Sequence, residues 1–146
     1  MFNKLLIPID GSPLVRGMIK KLPKTFNLTD KELVLIHVAT PLPPTIYSES
    51  ALSDYYISKE FHQESAGEFA QKIFKQYKNF LGEVKSISLL ITFNEDVPAG
   101  IIKAAKKNKV NCIVMASHRY TGLDNILLGN KVHQVIVTSK FPVLVL

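Results

Sequence analysis

One cysteine, Cys112, stands in a chain of 146 residues, and it lies inside the apolar run Val110 to Met115. A lone thiol excludes an internal disulfide and a cysteine-based metal centre, and its neighbours give it the part of a small buried hydrophobe. Long hydrophobic runs are missing too: 47% of the residues are hydrophobic, yet none of the runs reaches the roughly 18 apolar residues of a membrane span. The apolar stretch at the amino end is too short for a signal-peptide core, is broken by Pro8 and is closed by Asp10. A cytoplasmic location away from membranes is expected. The chain also lacks internal repeats and low-complexity segments, and its length is that of one domain, residues 1–146.

What is present begins with charge. Eighteen Lys and Arg against twelve Asp and Glu give a formal net charge of +6, a balance that suits an anionic partner. The excess is scattered, however. Lys20, Lys21, Lys103, Lys106, Lys107 and Lys109 read as solvated helix faces and C-terminal turns rather than as a nucleic-acid patch.

Strand and helix signals alternate along the chain, which predicts an α/β fold with a parallel sheet covered by helices on both faces. Strands are expected at Lys4 to Ile9, Glu32 to Val38, Ser86 to Thr92, Val110 to Met115 and Phe141 to Leu146. A first helix follows Ser12 as N-cap and Pro13 at its first position, and Pro23 is expected to cut it short. Thr40 to Thr45 is dense in proline and reads as a loop. From about Ser53 to Leu81 one helical face is traced by apolar residues from Phe61 through Phe69, Ile73 and Tyr77, and these aromatics read as core. Asp96 with Pro98 starts a third helix. Lys131 to Ser139 is ambiguous by composition, and is assigned as a helix because a parallel fifth strand needs a crossover.

In such a sheet the ligand crevice lies beyond the carboxyl ends of the strands, where strand order reverses. Asp10 ends the first strand ahead of Gly11 and Ser12. Two roles are open to it: accepting hydrogen bonds from a ribose or base, or helping to cap the first helix. The second candidate segment runs from Met115 to Lys131, a glycine-containing loop leading into a helix whose amino end can present N–H groups to phosphate. His37, His62, His118 and His133 show no metal-ligand spacing. No Ser, His and acid constellation and no phosphate-loop motif with its lysine is evident, so no catalytic residue and no metal site are expected.

Ile7-Pro8-Ile9-Asp10-Gly11-Ser12, Leu35-Ile36-His37-Val38, Ile113-Val114-Met115 with Ser117-His118, Leu127-Leu128-Gly129 and Pro142-Val143-Leu144-Val145 together resemble the universal stress protein family over nearly the whole chain. The resemblance implies an open five-stranded parallel sheet in the order 3-2-1-4-5, of the adenine nucleotide alpha hydrolase-like type. It implies adenine-side contacts from Pro8, Asp10, Val38 and Met115, all intact here. Members that bind ATP carry a loop of glycine, two residues, glycine, nine residues, then glycine and Ser or Thr. Those positions fall on Ala116, Arg119, Gly129 and Asn130. Ser117, His118 and Lys131 complete the candidate ligand set. Arg119 either obstructs the phosphate space or pairs with phosphate through its guanidinium. Two outcomes stay open, a bound adenine nucleotide such as ATP or AMP, or an empty loop. The resemblance implies a non-enzymatic stress-response or regulatory protein, the alternative being a slow ATP hydrolase, and a homodimer formed through Phe141 to Leu146 at the sheet edge.

Overall fold

The computed structural model describes residues 1–42, 49–117, 120–122, 125–127 and 129–146. The loop expected at Pro43 to Thr45 and the candidate ligands His118 and Arg119 lie outside the described residues. The elements run β1 (Lys4–Pro8), α1 (Pro13–Thr25), β2 (Glu32–Ala39), α2 (Glu49–Leu81), β3 (Ser86–Phe93), α3 (Val97–Lys107) and β4 (Cys112–Met115). After these come β5 (Tyr120–Gly122), β6 (Asn125–Leu127), α4 (Asn130–Thr138) and β7 (Val143–Val145). Five strands form a parallel sheet in the order β3-β2-β1-β4-β7, the arrangement expected from the sequence, with β7 as its fifth strand.

Successive residues of a strand point to opposite faces, and the central strands are apolar on both. Leu5, Ile7, Leu33, Leu35 and Val114 face one core, which α1 and α2 close with Met18, Ile19, Ile73 and Tyr77. Leu6, Val34, Ile36, Ile113 and Met115 face the other, closed by Ile101 and Ala105 of α3 and Val132 and Val135 of α4. Cys112 is buried in the first core, and its thiol pKa is pushed up by burial.

Four expectations need correction. Helix α1 runs through Pro23 to Thr25. Its proline sits in the last turn and removes the N–H that would bond the Ile19 carbonyl, but only two helical residues follow it, and the helix closes with the Phe26 N–H on the Leu22 carbonyl at 2.9 Å. Helix α2 starts at Glu49, ahead of the expected Ser53. Phe61 is not core: it is 71% exposed, because His62 takes the inward position four residues before Ala66 and donates from Nε2 to the Thr40 carbonyl at 2.7 Å. Phe69 is 45% exposed, although its ring reaches His37. The antiparallel pair β5 and β6 was not expected from the sequence at all.

Candidate functional site

A cleft of about 480 Å³ opens at the carboxyl ends of β1, β2 and β4. The chain leaves β1 for α1 on one face of the sheet and leaves β4 for the loop to α4 on the other, so this is the point where the strand order reverses. Pro8, Val38 and Met115, the residues that end or nearly end these strands, all line it.

On the β1 side, Gly11 has φ +76° and allows the chain to turn sharply from strand to helix. A side chain at that position would meet Ile73 Cδ1 at 2.9 Å and Phe69 at 3.2 Å, so α2 lies directly on this turn. Asp10 is exposed, and one of its carboxylate oxygens accepts from the Ser12 N–H at 2.9 Å. Ser12 itself caps α1, its hydroxyl accepting from the Val15 N–H at 3.2 Å. The capping duty weighed for Asp10 therefore belongs to Ser12, while Asp10 is fixed by a local turn with its carboxylate lining the cleft.

Opposite lies the amino end of α4. Gly129 is its N-cap and offers no side-chain acceptor to the first-turn N–H groups. Gly129, Asn130 and Lys131 line the cleft beside Ala116 and Ser117. The Gly129 N–H approaches the Ser117 hydroxyl at 3.4 Å, and the Ser117 N–H donates to the Leu146 carbonyl at 3.3 Å, so the loop is tied to the end of β7. Each expected ligand position among the described residues thus lies on one cleft.

Several lining residues carry no sequence signal of a site. Ile36, Ile101 and Val132 give the floor its apolar character. They belong to the second core, and no sequence signal separates a core residue that also touches a ligand space. His37, considered earlier as a metal ligand, donates from Nδ1 to the Ile9 carbonyl at 3.2 Å and packs against Phe69 with ring centroids 5.2 Å apart. A carbonyl can only accept, so in neutral His37 the lone pair is on Nε2. Behind Asp10, the buried Tyr77 hydroxyl has no hydrogen-bond partner among the described residues. Burial, then the Asp10 charge, push its pKa up, and Arg16 opposes them. Among the described residues no group of His, Cys, Asp or Glu has the arrangement of a metal site, and no helix is long and apolar enough to cross a membrane.

Comparison with known proteins agrees with this fold. The chain is 30% identical to universal stress protein MJ0531 of Methanocaldococcus jannaschii, over 99% of this chain and 82% of that protein. It is 28% identical to universal stress protein YxiE of Bacillus subtilis over 99% of both. The solved structure of protein MJ0577, also from M. jannaschii, superposes with a TM-score of 0.66 at 26% identity, covering 100% of this chain and 96% of that one. More distant structures share the fold: a universal stress protein of Archaeoglobus fulgidus in complex with dAMP, TM-score 0.58 and 14% identity over 99% of this chain and 98% of that one, and a family member of Arabidopsis thaliana with AMP bound, TM-score 0.61 and 13% identity over 99% and 90%. A family model described as the universal stress protein family matches residues 1–146, and the chain belongs to that family.

Proposed function

We propose that this protein is a non-enzymatic stress-response protein that holds an adenine nucleotide in the cleft between β1 and β4. The observation that carries the reading is that Asp10 and the uncapped amino end of α4 line one cleft, whose floor is apolar. Each part suits one part of a nucleotide. Ile36, Val38 and Met115 offer apolar side chains to a base. A carboxylate repels phosphate but accepts from sugar hydroxyls, so Asp10 takes the ribose. The first-turn N–H groups of α4, to which the Gly129 cap offers no side chain, the helix dipole and Lys131 favour an anion. The volume of about 480 Å³ is in the range of small-ligand sites. Relatives solved with AMP and dAMP support the same class of ligand.

With glycine replaced at Ala116 and Arg119, and an amide at Asn130 where ATP-binding members carry a hydroxyl, the phosphate half is the weaker half. The reading therefore favours AMP-sized ligands, with ATP held less tightly. It also makes the protein a cytoplasmic homodimer paired through Phe141 to Leu146. Calorimetric titration with AMP, ADP and ATP tests the ligand. Asp10→Ala is expected to weaken AMP binding about tenfold, the loss of one charge-assisted hydrogen bond. A correctly folded Asp10→Ala chain with unchanged affinity, or a wild type that takes up none of the three nucleotides, overturns the reading.

A further inference from the structure

The outer face of α2 carries a charge pattern that the helix does not use within itself. Glu60, Glu64 and Glu68 follow one another four residues apart, and Lys72, Lys75 and Lys78 continue the same stripe. All six are exposed. Inside a single helix this order is unfavourable, since acid adjoins acid and lysine adjoins lysine everywhere in the stripe except between Glu68 and Lys72. The helix dipole accounts only for Lys78, which stands in the last turn. Helix α2 begins at Glu49, so the three acids stand well beyond the first turn, where the dipole acts.

Two further features lie on this face. Ile57 and Phe61 prolong the stripe toward the amino end and are 65% and 71% exposed. Midway, a shallow notch is lined by Gly67 and Gln71 with Glu64, Glu68, Lys72 and Lys75 around it, and nothing lies within 4 Å of where a Gly67 side chain would begin.

We infer that α2 pairs antiparallel with α2 of a second copy of this chain. A twofold axis passing between Glu68 and Lys72 sets Glu68 against Lys72 of the other copy, Glu64 against Lys75 and Glu60 against Lys78, and repeats all three pairs by symmetry. An acidic half followed by a basic half is complementary to its own reverse and to nothing in parallel register, where acids would meet acids. Gly67 lets the backbones approach at the crossing. Phe61 then falls beside Lys78 of the other copy, whose ammonium already lies 5.2 Å from the Phe74 ring in its own chain. From residue 57 to 81 the helix is about 37 Å long. A single helix-on-helix contact of that length is at the low end of interface sizes, so the pairing is weak and salt-sensitive.

Charge reversal in the full chain tests this. Val145→Lys is carried throughout to close the β7 edge. One variant adds Glu64→Lys and Glu68→Lys, a second adds Lys72→Glu and Lys75→Glu, and each is followed by sedimentation equilibrium at low and high salt. The parent chain is expected to dimerise weakly at low salt and to lose this in high salt. Each reversed variant alone is expected to be monomeric, and an equimolar mixture of the two to recover the dimer, because a basic stripe then meets an acidic one. Circular dichroism of each variant shows that it is folded. A parent that stays monomeric at high-micromolar concentration in low salt, reversed variants that dimerise as the parent does, or a mixture that stays monomeric overturns the inference. The monomeric outcomes include the case in which this face serves a different protein.

Discussion

Gly11 stands where three demands meet: a left-handed turn out of β1, the Asp10 carboxylate beside it, and α2 pressed onto it from outside. Its φ of +76° is open to few side chains, and an added methyl would lie 2.9 Å from Ile73 Cδ1. Gly11→Ala is therefore expected to cost about 1–3 kcal/mol, strain and contact together. Gly17, in the interior of α1 with open space around it, is the contrast. Gly17→Ala is expected to raise stability by about 0.5–1 kcal/mol. Urea denaturation of both variants measures the difference. If Gly11→Ala is as stable as wild type, the turn is not under the constraint described.

At the scale of elements, the amino ends of three strands are tied by charge. Glu32 of β2 contacts Lys85, just ahead of β3, at 3.0 Å and Lys4 of β1 at 4.0 Å. The hydrogen bond from Lys85, then its charge, hold the Glu32 carboxyl below the usual glutamate range, with Lys4 adding to the effect. A carboxylate with a folded pKa below its unfolded value stabilises the fold above the unfolded value, and loses that contribution as pH falls through the folded one. The stability gap between wild type and Glu32→Gln should thus be constant near neutrality and close on acidification below about pH 4.5. Denaturation midpoints taken across that range decide it, and a gap that grows toward acid refutes the tie. The main strands and helices were legible in the sequence for good physical reasons. Buried parallel strands are short apolar runs, and Ser12, Pro13, Asp96 and Pro98 announce helix starts by their own chemistry. Phe61 was misjudged because a periodic face records spacing, not whether a sheet lies beneath that part of the helix. β5 and β6 were missed because two three-residue strands hold too little pattern to stand out from a loop. Of the site, Asp10 and Gly129 were readable as strand-end and helix-start residues. The floor was not, since Ile36, Ile101 and Val132 look like any other core.

In the whole molecule, β7 is the edge strand of the sheet, with no further strand on its outer side among the described residues and no charged residue from Phe141 to Leu146. Pairing of two such edges across a twofold axis is expected to make the protein a dimer, and Val145→Lys, which sets two ammonium groups near that axis, to shift it toward monomer. Sedimentation equilibrium reads both; a wild type monomeric at high-micromolar concentration, or a Val145→Lys chain as dimeric as wild type, contradicts it. Twofold contacts at β7 and at α2 lie on different parts of the molecule, and a chain that uses both builds either a closed tetramer or an open string. The alternation of side chains along the strands has a consequence of another kind. Leu35 and Ile36 are joined by a peptide bond, yet each packs with a different pair of helices, and the sheet stands between them like a partition. Substitutions that stand well apart in the two layers share no side-chain partners and are expected to add in their effect on stability. They meet at the cleft, where Ile9 and Val15 come from one layer and Ile36 and Val132 from the other. There the two layers share one lining, and substitutions from the two sides are expected to couple.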